Sequence, residues 1–204
     1  MIRPRNRLLA LAATLALGAC ASAPLHYHTL VAPAAEPAVG RVSPSLAFEL
    51  LPVSVPAQVD QPQLVVRQGR QGVLLLGSER WIAPLSDEVR SALSADLARD
   101  LQSQDVSGLP DSGGKPVLRI KLDLRRFDSQ PGDYALIEGS WSVRVLHATP
   151  ERALACSSRV REAVGPGYDA LVQGHQRAIA TLAAQIVAVA RSLANAEMPL
   201  CPLP

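Results

Sequence analysis

The sequence predicts a single α+β domain, a mostly antiparallel sheet with two main helices packed on it, preceded by a signal peptide and a short tether. Three observations predict it. Residues Val117–Phe127 alternate apolar and charged side chains, the period of a strand with one buried face. Apolar residues at helical spacing recur in two places, through Val89, Leu93, Leu97 and Leu101 and again from Leu171 to Leu193. Met1–Ala19 joins a basic start to a short apolar stretch and stops beside Cys20.

The chain has 204 residues, the size of one ordinary domain. Apolar residues make up 48% of it and aromatic residues only 3%, so the core must be built from Leu, Val, Ile and Ala. Seventeen prolines favour extended connectors and bounded strands over a helical bundle. The formal charge is +2, and Arg3, Arg5 and Arg7 account for more than all of it. Without them the remainder is near −1, which gives no electrostatic reason to bind nucleic acid.

Arg3, Arg5 and Arg7 form the positive region of a signal peptide, and Leu8–Leu17 its apolar segment, too short to be a comfortable membrane span. Leu17-Gly18-Ala19-Cys20 resembles the bacterial lipobox: small residues before the cut, then a thiol that accepts diacylglycerol. Cys20 is therefore the expected lipidation site. Several acyl chains anchor stably, because each buried CH₂ contributes about 0.8 kcal/mol. Ala21 and Ser22 follow Cys20 where an Asp would retain an enterobacterial lipoprotein in the inner membrane. By resemblance to that rule, the expected address is the outer membrane, facing the periplasm.

Residues 20–41 read as the lipidated N-terminus and an Ala/Pro-rich tether, with Tyr27-His28-Thr29-Leu30 as a short edge strand inside it. The domain proper is expected over 42–204. Phe48–Val55, interrupted by Pro52 and closed by Pro56, reads as an edge strand. Leu64–Arg67 and Val73–Leu76, joined through Gly69 and Gly72, read as a hairpin. Pro84-Leu85-Ser86 offers an N-cap, and Asp87 and Glu88 supply acidic charge for the first turn of the first helix. After the turn at Gln130-Pro131-Gly132-Asp133, Ala135–His147 and Ala153–Val160 complete an antiparallel meander. Gly165-Pro166-Gly167 breaks the chain before a long helix from Tyr168 to Asn195, with His175 inside its apolar stripe.

Few residues suggest chemistry. His26 and His28 would share one side of a strand, but no further metal ligands stand near them in sequence. Arg119, Lys121, Arg125 and Arg126 read as a solvated sheet face, and Trp81 and Trp141 as core anchors. No nucleophile elbow, phosphate loop or HExxH is present. No enzymatic activity, cofactor or metal is expected. With Cys20 taken by lipid, Cys156 and Cys201 remain as an even pair in an oxidising compartment, a candidate disulfide. The alternative is a buried Cys156 acting as a small apolar residue and a Cys201 on a frayed tail.

Five short segments, in order, resemble the ABC-type transport auxiliary lipoproteins (the PqiC/YmbA-like family). They are Tyr27-His28-Thr29-Leu30 after the anchor, Val53-Ser54-Val55-Pro56, Trp81-Ile82-Ala83-Pro84-Leu85 leading into the first helix, Leu118–Phe127 with Gly139-Ser140-Trp141, and Gly167-Tyr168-Asp169 opening the last helix. Two departures are His28, where a second aromatic is common, and the Cys156/Cys201 pair. The resemblance implies a non-catalytic partner of an MCE-domain membrane protein in an intermembrane lipid transport system, and a ring-shaped homo-oligomer. Two other roles fit the same anchor: an interaction module activating a cell-wall synthase, and a periplasmic lipid carrier.

Overall fold

The computed structural model describes residues 24–33, 46–110 and 113–202. The signal peptide, Cys20 and most of the expected tether lie outside them. Within them the order is β1 (His26–His28), β2 (Phe48–Leu50), β3 (Gln63–Gln68), β4 (Gly72–Trp81), α1 (Leu85–Leu101), β5 (Val117–Gln130), β6 (Tyr134–Leu146), β7 (Arg152–Ala163) and α2 (Tyr168–Ala194). The α+β class is as expected, with one refinement. The strands form two mixed sheets, β1-β4-β3 and β2-β5-β6-β7, in which β1 pairs parallel to β4 and β2 parallel to β5.

The larger sheet is the expected meander with β2 added along the outer edge of β5. Leu118, Ile120, Leu122 and Leu124 are buried, and the alternation then shifts by one residue so that Phe127 and Ser129 point inward. The ladder shows why: its register slips between Leu124 and Arg126, opposite Gly139. A Cβ on Gly139 would lie 2.7 Å from the Asp123 carbonyl oxygen and 3.0 Å from Leu124 Cδ2. The bulge and the glycine require each other. Ile137, Trp141, Val143 and Val145 on β6 are buried, as their phase requires.

The segment read as one strand over 48–55 is shorter than expected. The Leu51 amide still donates to the Ile120 carbonyl, but the next bond to β5 comes from Ser54 in place of Val53. The register therefore slips at Pro52, and pairing resumes as a single bridge from Ser54 to Asp123. The amide position of Pro52 faces away from β5, where a missing N–H is tolerated. The hairpin β3–β4 is present, and β4 runs on to Trp81. Trp81 packs edge-on against Phe127 of the larger sheet, with ring centroids 6.1 Å apart, and so ties the two sheets together.

Both helices bury the residues expected. Val89, Leu93, Leu97 and Leu101 are buried on α1, and Leu171, His175, Ala178, Ile179, Leu182, Ile186, Val189 and Leu193 on α2. The N-cap of α1 differs. The helix begins at Leu85 with Pro84 as cap and no side-chain cap bond; the Asp87 and Glu88 amides donate to the Pro84 carbonyl. Gly174 lets α2 lie close on the meander, since a Cβ there would sit 2.2 Å from Val164 Cγ1. At the other end of α2, Arg152 donates to the carbonyls of Leu193 and Ala194. A disulfide joins Cys156 of β7 to Cys201 in the C-terminal tail, with the Cα atoms 5.5 Å apart.

Candidate functional site

The N-terminal strand β1 is three residues long, and three residues of backbone pairing do not hold a strand in place. Side chains do it. In the parallel register His26 stands beside Glu79 and His28 beside Trp81, so both histidines share a face with Glu79. The buried Glu79 carboxylate takes one imidazole on each oxygen. His26 Nδ1 lies 2.8 Å from Oε1 and His28 Nε2 2.6 Å from Oε2. The hydrogen bond from His28, reinforced by that from His26, holds the Glu79 carboxyl below its ordinary pKa against the opposing effect of burial. On its far side, His28 Nδ1 is 3.8 Å from the Asp169 carboxylate in the first turn of α2.

The chain beyond β1 is fastened as firmly. Thr29 Oγ1 and the Leu30 amide both donate to Glu88 Oε2, at 2.8 and 2.7 Å. Gln176 Nε2 donates to the Thr29 carbonyl at 3.1 Å, and the Ile82 amide to the His28 carbonyl at 3.0 Å. Leu30 itself is fully buried in the core. This short segment therefore meets β4, α1 and α2, and it does so at the N-terminal ends of both helices. Beside it opens a cleft of about 670 Å³ lined by Leu25, His26, Tyr27, Tyr168 and Asp169 among others.

Two sequence readings are corrected here. The short edge strand expected at Tyr27–Leu30 is present as β1, but residues 26–30 belong to the folded body and not to the expected tether, because a buried leucine and two carboxylates hold them there. Glu88 is more than helix-terminal charge, since it is buried and spends its carboxylate on Thr29 and Leu30. His26 and His28 do share a side, and the partner they find is Glu79. Among the described residues no group of three or more His, Cys, Asp or Glu has metal-binding geometry.

Nothing in the sequence pattern announces the serine–histidine pair in the core. Ser129 Oγ lies 2.8 Å from His175 Nε2, and the imidazole is fully buried and stacked on Phe127 at 3.9 Å. Burial pushes the His175 pKa down to about 3. Its Nδ1 has no hydrogen-bond partner among the described residues, so no carboxylate orients it as a catalytic base requires. The geometry is that of a packing residue. Three of the four basic-stripe residues are paired, Arg119 with Glu49 at 2.8 Å, Lys121 with Asp123 at 3.1 Å, and Arg126 with Asp128, while Arg125 stands exposed on the same strand. Trp141 is a hydrogen-bonded core anchor, its indole donating to Ser158, which in turn donates to Gln185.

Fold and site together define a small α+β module whose first strand is locked to both helices. The chain belongs to the family described as the ABC-type transport auxiliary lipoprotein component, whose model matches residues 28–187. It is similar in fold to the crystal structure of an uncharacterized protein, with a TM-score of 0.63 and 17% identity over 81% of this chain and 98% of that one. A DUF330-family protein of Xanthomonas campestris is similar at a TM-score of 0.57 and 15% identity, over 85% of this chain and 97% of the other. No curated protein matches the chain.

Proposed function

We propose that this transport auxiliary lipoprotein is anchored in the outer membrane through Cys20, faces the periplasm, and serves as the non-catalytic adaptor or cap of an MCE-type lipid transport system. The observation that carries the reading is the family match, which spans nearly the whole folded body. The physical logic is that acyl chains cannot cross water freely, since each exposed CH₂ costs about 0.8 kcal/mol. A conduit built by an MCE-domain protein therefore needs a partner fixed to the receiving membrane. A ring of several copies of the chain would match the mouth of such a tube.

The test begins with separated inner and outer membranes from cells expressing the tagged chain and its Cys20→Ala variant. The wild type is expected in the outer-membrane fraction and the variant in the soluble periplasm. Crosslinking in the same cells is expected to capture an MCE-domain protein. Wild type found in the soluble fraction, or capture of a cell-wall synthase in place of an MCE-domain protein, would overturn the reading.

A further inference from the structure

The body of the protein begins almost at the anchor. Cys20 precedes His26 by six positions, and a fully extended chain spans at most about 3.6 Å per residue, so β1 begins within about 22 Å of Cys20 whatever path the residues between them take. By contrast α2, with 27 residues, is about 40 Å long at 1.5 Å per residue. A lipid on Cys20 therefore decides which end of the domain meets the bilayer: the end holding β1 and the first turns of both helices.

The side chains presented at that end suit a membrane. In the β1/β4 pair, His26, His28, Glu79 and Trp81 share the face that carries the clasp and the core. Tyr27 pairs with Arg80 on the opposite face, and by the two-residue period Leu25 and Ile82 fall in phase with them. These are among the most exposed apolar side chains described: Leu25 at 46%, Tyr27 at 56% and Ile82 at 65%. Between them stands Arg80, which has no ion-pair partner among the described residues and whose Nε is buried without a hydrogen bond. Arg67, Arg119, Arg126, Arg144 and Arg161 on the other strands each have a carboxylate partner, whereas Arg125, Arg152 and Arg159 share with Arg80 the lack of one among the described residues.

We propose that Leu25, Tyr27, Arg80 and Ile82 form a membrane-contact face that docks on the phospholipid headgroups of the bilayer holding the Cys20 lipid. The inference rests on the lipidation reading above. In it Tyr27 sits at the interface, where an aromatic ring with a polar tip partitions well. Arg80, its Nε buried, donates from its terminal guanidinium nitrogens to a lipid phosphate, a charge-assisted pairing that arginine makes well. Leu25 and Ile82 reach the acyl boundary. The patch is too small to bind a membrane alone, so it orients a domain that the lipid already holds there. Asp87 and Asp169 also lie on this end, which favours contact with individual phosphates over attraction to a strongly anionic surface.

The test uses the full lipidated chain in phosphatidylethanolamine–phosphatidylglycerol vesicles, with a fluorophore on Ile82→Cys and, separately, on the equally exposed Leu109→Cys. Headgroup-level lipid quenchers are expected to quench the Ile82 probe several-fold more strongly than the Leu109 probe. Tyr27→Ser with Arg80→Glu is expected to erase that difference while leaving the protein on the vesicles. Flotation of the same samples separates the two claims. Protein that floats with equal quenching at both positions overturns the membrane-contact face and leaves the anchor intact. Protein that does not float overturns the Cys20 anchor, and the docking proposal with it.

Discussion

His175 makes this fold acid-sensitive in a way that can be worked through. Its imidazole is fully buried, its Nε2 is committed to Ser129, and burial holds its pKa at about 3 against 6.5 for the free side chain. The folded state therefore refuses a proton that the unfolded state accepts below about pH 6.5. Stability from this group is complete above that pH and is lost as the pH falls toward 3, by up to about 1.4 kcal/mol per pH unit. Two units below the unfolded value, the loss is roughly 2.5 kcal/mol, a large share of a marginal stability. The assay is urea unfolding of the Cys20→Ala chain at about pH 7.5 and about pH 4.5, beside the same chain carrying His175→Gln. The variant is expected to be less stable at the higher pH, because it loses the stack on Phe127, yet to lose roughly 2.5 kcal/mol less on acidification. The lowered carboxyls of Glu79, Asp105 and Asp123 do not act on His175 and cancel between the two chains; Asp128, which does act on it, favours the imidazolium and is the smaller influence beside burial. Identical acid losses in the two chains would refute the reasoning.

Three further expectations follow from the geometry. Glu79→Ala removes the shared partner of His26 and His28 and should cost about 1–3 kcal/mol; hydrogen exchange at residues 26–30 should accelerate well beyond that of β5, and unchanged protection would show the clasp to be idle. Reducing the Cys156–Cys201 disulfide, or Cys201→Ser, frees a connection spanning 45 positions and should destabilise by up to about 4 kcal/mol on a loop-entropy model, read as a lower Tm. Gly139→Ala should cost about 1–3 kcal/mol in urea unfolding, because its Cβ would press on the Asp123 carbonyl and on Leu124 at the bulge; a neutral effect would mean that the strand yields there.

The elements legible in the sequence are those whose signal is local. Leu118, Ile120, Leu122 and Leu124 announce a strand by their alternation, and the stripe from Leu171 to Leu193 announces α2, because both periodicities repeat often enough to outweigh accident. The parallel pairings of β1 and β2 leave no such mark. Each strand is three residues long, and each pairs with a partner distant in the chain. The candidate site was half visible. The period of two placed His26 and His28 on one side, but Glu79 lies 51 and 53 residues away, and only the register of β1 against β4 brings it between them. Glu88 was hidden by a sufficient local explanation: an acidic residue in a first helical turn looks complete without a tertiary partner. Ser129 faces His175 only because the bulge opposite Gly139 shifts the phase of β5, which alternation alone does not disclose.

Purification of crosslinked partners from intact cells at native expression tests the adaptor role beside an MCE-domain protein most directly. The tagged wild type should recover an MCE-domain protein as its leading partner, and Cys20→Ala should recover markedly less of it. Recovery of a cell-wall synthase, or of phospholipid with no protein partner, would contradict the account.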